Sequence, residues 1–460
     1  MFQEIYWHLQ EYIAIYMFIG LGCLLFTGFP VAFALGGASL AFGLIGTALD
    51  VFAPIEFFNI LPRVWGGAAE NLVLVAVPLF VFMGTMLERS GVAHDLLHCL
   101  QVLLRRVPGG LALGVTVMGT IMAASTGIIG ASVVMITLMA LPIMLERNYN
   151  PELATGTIAA ASTLGILIPP SIMLVIMADL LSISVGNLFV AAVFPGLLLS
   201  GLYFIYIMVL TAIWPRLGPP LPDERGPGSM AELGGMVLRG FIPPVFLIVL
   251  VLGSIIAGWA TPSEAAAVGA FGATFLAFIN RNLTIEALGD VLNRTSMTVA
   301  MIFFVFIGAT AFSYVFRSLG GDDVVEELIF SLGLGDWGLL IILMATVFFL
   351  GFFFDFLEIT LIVLPVFTPI VQELDFGEHV IHAEKIYWFA LLVAVNLQTS
   401  FLTPPFGFAL FYMKGVAPPE VKLSSIYRGI IPFVCLQLIG LGFVLAWPDI
   451  ALWLPRVLLD

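Results

Sequence analysis

The chain has 460 residues, of which 61% are hydrophobic and only 10% charged, with a mean hydropathy of +1.13 and a net charge of −14. Most of its surface must therefore face lipid or other helices, which excludes an ordinary soluble domain, and the acidic balance argues against a nucleic-acid partner. At about 20 residues per spanning helix, roughly ten to twelve membrane elements fit.

Apolar segments predict spans at 11–28, 29–50 and 72–88, with no positively charged leader and cleavage site ahead of them. Segment 90–107 reads as an interfacial arm. The apolar stretch 110–145 is too long for one span: its 36 residues would make a helix of roughly 54 Å against a hydrocarbon core of about 30 Å. Small and polar residues interrupt it at "AASTGIIGAS" (Ala123 to Ser132), so it is expected to form a re-entrant helical hairpin. Segment 152–183 is broken at Pro169-Pro170, and tandem proline at membrane depth is tolerated only where the freed backbone faces protein or a water-filled cavity. A span at 186–214 follows, then a Pro/Gly-rich stretch that marks 221–234 as a cytoplasmic linker.

The second half repeats this order. Spans are predicted at 241–258, 263–280 and 297–317, a second hairpin at 337–371 interrupted at "GFFFDF" (Gly351 to Phe356), a second broken helix at 385–414 with Pro404-Pro405, and a last span at 430–453. "LFVFMG" at 79 returns as "FFVFIG" at 303, and "SVVMITLMALP" ending at Pro142 as "DFLEITLIVLP" ending at Pro365. The halves are thus 1–220 and 235–460. Basic loops around Arg89, Arg105, Arg106 and Arg147 belong to the cytoplasm by the positive-inside rule. Their counterparts, "GGDDVVEE" and "QELDFGEH", are acidic, which makes the repeat inverted. The fold expected is an all-α polytopic membrane protein: an inverted repeat of about ten transmembrane helices, two re-entrant hairpins and two Pro-broken helices.

Paired breaks of this kind point to a solute or ion site near the midplane. At the first tip and break stand Ser125, Thr126, Gly127, Ser132, Ser162, Thr163, Gly165 and Ser171, whose hydroxyls and freed carbonyls are hard, neutral oxygen ligands suited to Na⁺. The alternative is that each hydroxyl back-bonds to a helix carbonyl or packs between helices. At the second tip, a carboxylate at bilayer depth costs about 2.5–3.5 kcal/mol, so Asp355 is expected either to bind a cation or substrate group or to cap the rear half-helix. Glu358 lies one turn on. Asn396, Gln398, Thr399, Ser400 and Thr403 offer further oxygens. Glu264, after Thr261-Pro262, reads as a helix-start carboxylate. The pairs His94/His98 and His379/His382 lack a further ligand set and read as solvated faces. No cysteine pattern, hydrolase triad, Walker loop or dinucleotide motif is present, so no enzyme is expected.

Five segments together resemble the large membrane subunit of TRAP (tripartite ATP-independent periplasmic) transporters: "VPLFVFMGTMLERSG", "TGIIGASVVM", "TLGILIPPSI", "TPSEAAAVGA" and "NLQTSFLTPPFGFALF". The resemblance covers nearly the whole chain. It implies an elevator-type, Na⁺-driven importer of the ion-transporter superfamily in a bacterial inner membrane. The partners implied are a small four-helix membrane subunit and a soluble periplasmic binding protein that delivers a small organic anion. By motif it implies substrate contacts at Ser125, Ser132, Ser171 and Asp355. The sodium ligands implied are Ser125, Thr126, Gly127, Thr163, Gly165, Asp355, Thr399, Ser400 and Thr403. A binding-protein-independent ion-coupled carboxylate transporter and a passive channel remain as alternatives.

Overall fold

The structure is a computed structural model that describes residues 2–126, 129–220, 229–404 and 407–459, without the side chains of residues 2, 3, 5, 123–126, 330 and 459. Among the described residues every regular element is helical. Helices α1 (Phe2–Glu11) and α2 (Ile13–Phe26) lead to α3 (Val31–Ala48), which starts behind Pro30, whose fixed φ of −57° suits a helix start. Short α4 (Phe57–Val64) runs into a π-turn at Trp65–Ala69, and the chain then bends by 55° into α5 (Ala76–Arg89). Gly91, at φ +81°, turns the chain into α6 (Val92–Leu103).

Helices α7 (Gly110–Thr126) and α8 (Ile129–Glu146) pack against each other and against α9 (Pro151–Thr163). The Asn150 side chain caps α9, accepting from the N–H groups of Glu152 (2.8 Å) and Leu153 (3.1 Å), with Pro151 at the first helical position. A single 3₁₀ turn (Leu164–Ile166) and the cis Pro169–Pro170 bond separate α9 from α10 (Ile172–Leu180), and α11 (Val185–Ile213) follows. Later in the chain come α12 (Met230–Met236), α13 (Ile242–Ile256), α14 (Pro262–Ile279), α15 (Ile285–Ser318) and α16 (Gly321–Ser331). The last six are α17 (Asp336–Leu350), α18 (Phe356–Glu373), α19 (Lys385–Ser400), α20 (Phe408–Val416), α21 (Leu423–Ala446) and α22 (Asp449–Leu459).

Among the described residues eight helices are long and apolar enough to cross a bilayer, or nine if the bent pair around Glu70 is one span. The expected number is about ten, but the sets differ: α8 and α18, expected as hairpin arms, are long enough to count, whereas α2, at 14 residues, and the halves of the two broken helices are not. Neither α9 nor α10, nor α19 nor α20, reaches spanning length alone. The protein is an all-α polytopic membrane protein.

Some segments differ from expectation for visible reasons. Helix α15 begins at 285 rather than 297, because its polar first turns are held by charge: Arg89 pairs with Asp290, and Arg294 lies 3.3 Å from Asp290 and 3.7 Å from Glu88. Segment 90–107 holds α6. Leu96, Leu97, Cys99 and Leu100 are buried, and α6 packs on α7 and on the π-turn Val237–Phe241. His94, Asp95, His98 and Leu103 face out. Of the expected linker 221–234, residues 221–228 lie outside the described set, and α12 starts within the remainder.

Two packing groups flank the interface that matters. One joins α2, α3, α5, α13, α14 and α15; the other gathers α7 to α10 and α17 to α21. In the second group α9 crosses α21 almost backbone to backbone. A Cβ on Gly156 would stand 2.1 Å from the Gly429 carbonyl oxygen, and one on Gly429 would stand 2.2 Å from that of Glu152. Small residues permit such approach where lipid offers no hydrophobic drive for helix association. Gly156→Val should therefore lower the unfolding midpoint of the detergent-solubilised protein, by the equivalent of about 1–3 kcal/mol or more. Gly442→Ala, on α21 but with open space beside it, should leave the midpoint unchanged.

Candidate functional site

Both hairpin tips and both breaks converge on one cavity of about 570 Å³. Ile129, Gly130 and Ala131, where α8 begins, line one wall, and Asp355 to Glu358, where α18 begins, line another. Ile172, just past the first break, completes the transverse wall with Phe401 and Phe408, which flank the second. The opposing side is α3 and α15, through Val31, Thr298, Met301 and Ile302. The cavity thus lies between the two packing groups.

Asp355 occupies the N-cap of α18. Its Oδ1 accepts from the N–H of Phe356 (2.8 Å), and Glu358 reaches back so that its Oε2 accepts from the Asp355 N–H (3.0 Å). This is a capping box. It satisfies backbone donors that hydrocarbon cannot satisfy. The sequence left Asp355 between capping and binding. The structure shows the cap and also puts the carboxylate on the cavity wall, since one oxygen suffices for the cap. Glu358, 7% exposed, is a partner of that cap.

The remaining expected residues stand behind the lining. Ser171 is fully buried as the N-cap of α10, its Oγ donating to the Ile166 carbonyl (2.5 Å). Thr163 donates to the Ala160 carbonyl (3.0 Å), Thr399 to that of Asn396 (2.6 Å) and Thr403 to that of Thr399 (2.6 Å). Gly165 lies in the 3₁₀ turn, and Ser132 is buried next to Ala131. Ser125 and Thr126 end α7, their side chains beyond those described, and Gly127 lies outside the described residues, as does Pro405.

Back-bonding does not remove these hydroxyls from a cation site. A hydroxyl that donates its hydrogen to a carbonyl keeps both lone pairs for a cation. Further oxygens are poised next to them: the Ser400 Oγ and Asn396 Oδ1 are buried with no hydrogen-bond partner, as are both polar atoms of Gln398. Asn396 uses its Nδ2 to hold the Met344 carbonyl of α17 (2.7 Å), and a Cβ on Gly351 would collide with the Ser400 Oγ at 1.8 Å, so the second hairpin is locked on the second break. Among the described residues no group of three or more His, Cys, Asp or Glu exists. The donors are neutral oxygens plus the Asp355–Glu358 carboxylate pair, an all-oxygen set that fits an alkali cation better than a transition metal.

Sequence reading missed the α3 and α15 wall and Tyr412, whose ring lies 3.0 Å from where a Gly130 Cβ would be. Thr298, the last polar residue before the apolar run from Val299 to Ala309, was the available signal for α15. Glu264 closes a capping box with Thr261 (2.8 Å and 3.3 Å), as its position suggested. His379 departs from the solvated reading. It is packed 4.9 Å from the Trp337 ring and 5.9 Å from Trp388, with Nε2 3.0 Å from the Leu445 carbonyl.

The family described as "Tripartite ATP-independent periplasmic transporter, DctM component" matches residues 18–450. The C4-dicarboxylate TRAP transporter large permease protein of Pseudomonas aeruginosa is 31% identical over 84% of this chain and 87% of its own length. The sialic acid TRAP transporter large permease protein of Vibrio cholerae is 27% identical over 95% and 97%. Among solved structures, the YdaH transporter of Alcanivorax borkumensis shares the fold, with a TM-score of 0.61 and 14% identity over 86% of this chain and 89% of that one. On a match spanning nearly its whole length, this chain belongs to the DctM component family of the tripartite ATP-independent periplasmic transporters.

Proposed function

We propose that this chain is the large subunit of a sodium-coupled importer of a small organic anion, a carboxylate or related acid. It works in the bacterial inner membrane beside a small membrane subunit, and a periplasmic binding protein supplies its substrate. The observation that carries the reading is the convergence of both hairpins and both breaks on one cavity that holds the Asp355 carboxylate and is backed by buried hydroxyls. The substrates for which the relatives are named, C4-dicarboxylate and sialic acid, support the anion class.

The chemistry follows from the donors. Sodium ions settle among the hydroxyls and carbonyls of Thr163, Gly165, Thr399, Ser400 and Thr403, with Asp355 supplying charge. Bound cations then offset the repulsion between Asp355 and an incoming carboxylate, so anion affinity rises with sodium occupancy. Two sodium ions entering with a monoanion move one net positive charge, worth roughly 2.3 kcal/mol per 100 mV. Access alternates as the group of α7 to α10 and α17 to α21 slides along α3 and α15, an elevator motion.

Reconstituted in liposomes with both partners, the protein should accumulate its substrate uphill only under an inward sodium gradient. Equal uptake without sodium rejects the coupling, and equal uptake without the binding protein rejects that dependence. Asp355→Asn should preserve the cap, because Asn caps as well as Asp, and should cut uptake about tenfold or more at unchanged unfolding midpoint. Unchanged uptake removes the carboxylate from the mechanism. Thr403→Val and Thr163→Val should each raise the sodium concentration for half-maximal uptake several-fold, and an unshifted sodium curve removes them from the ligand set.

A further inference from the structure

A second, larger cavity of about 700 Å³ lies at the other end of the same interface. The same three elements line both. Along α15 the lining passes from Thr298 and Met301 to Thr310 and Ser313, along α18 from Asp355 and Glu358 to Leu361 and Thr368, and beyond the first break from Ile172 to Asp179 and Ser182. Offsets of this size at 1.5 Å per residue put the second cavity roughly 10–20 Å further along the membrane normal. Among the described residues, eleven of the fifteen Lys and Arg fall on the opposite side, so the positive-inside rule places this cavity toward the periplasm.

Four basic residues remain on that outer side: Arg63, Arg317, Lys385 and Arg456. Three are spent on structure. Lys385 is buried and donates to the carbonyls of Gln372 (2.9 Å) and Leu374 at the end of α18. Arg456 holds Glu384 (2.5 Å) and Asp449 (2.7 Å). Arg317 lies 3.4 Å from Asp322 and donates to the Pro365 carbonyl (2.9 Å). Arg63 differs. Among the described residues no carboxylate pairs with it, and its guanidinium lies over the Tyr314 ring, 4.6 Å from the centroid. Tyr314 is itself fixed, its hydroxyl accepting from the Asn59 Nδ2 (3.0 Å). Stacking orders the guanidinium by one face and leaves its N–H edges open, the arrangement suited to a bidentate carboxylate. The wall carboxylate, Asp179, is engaged by the Asn71 Nδ2, 2.8 Å from each of its oxygens.

We infer that the outer cavity is a receiving subsite for the carboxylate or sulfonate group of an organic anion, with Arg63 as its anchor, held before the anion reaches the inner cavity. This deepens the proposed uptake and takes the anion class from it. The Tyr314-stacked guanidinium, and not the cavity alone, makes the site selective for anions.

The test reads charge selectivity directly. In the full chain carrying Cys23→Ser and Cys435→Ser, a reporter Thr310→Cys is modified from the periplasmic side with sulfonatoethyl or trimethylammonioethyl methanethiosulfonate. The anionic reagent should be favoured, and adding Arg63→Gln should lower the anionic-to-cationic rate ratio by about tenfold, while Arg63→Lys retains most of it. Succinate, used as the probe, should slow the anionic reagent in the Arg63 protein and not in the Arg63→Gln protein. A ratio unmoved by Arg63→Gln, or a reporter unreactive from outside there and at Ser313→Cys, overturns the inference. Because the ratio needs no transport, failure of sodium-driven uptake with the ratio intact sinks the proposed function and leaves this subsite standing.

Discussion

Every helix that ends inside the hydrocarbon leaves backbone donors and acceptors that lipid cannot satisfy, and this chain creates such ends at two tips and two breaks. Most of its buried polar chemistry answers that constraint. The Asp355–Glu358 box quiets the start of α18, Ser171 the ends on either side of the first break, and Asn396 the Met344 carbonyl across from the second. Lys385 does the same for the last carbonyls of α18. Most of these bonds are local to one helix end, and the Asn396 bond to the Met344 carbonyl ties α19 to α17. A cavity at the meeting point of the breaks follows from the same accounting.

Much of this was legible in the residues. Tandem proline is a strong signal in an apolar run, and so is a carboxylate in "GFFFDF", because both are costly in lipid without a structural reason. The capping box at Thr261–Glu264 could be read from four letters. What escaped were features set by distant partners. Helix α15 extends to Ile285 because Asp290 meets arginine from α5, some two hundred residues earlier. His379 is enclosed by Trp337 and Trp388, and α6 is buried under a π-turn that no local pattern announces. Arg63, in a short exposed helix, gained interest only from its place over Tyr314.

The two sides of the central cavity are chemically unequal although the chain enters it twice in the same way. One wall offers glycine, alanine and isoleucine from the start of α8, the other a carboxylate pair. The hydroxyl residues Thr163, Ser171, Thr399 and Ser400 beside the breaks are buried and do not line the cavity, whereas Ile172, Phe401 and Phe408 do.

The crossing of α9 and α21 at Gly156 and Gly429 carries a consequence for how the chain is built. Each glycine sits on a helix from a different side of the segment around residue 225, and each accepts the backbone of the other with no side chain between. Neither part can complete that crossing by itself. The two parts thus fold as one unit, and two fragments cut between α11 and α12 would have to find each other in the bilayer before either could hold its broken helix in place.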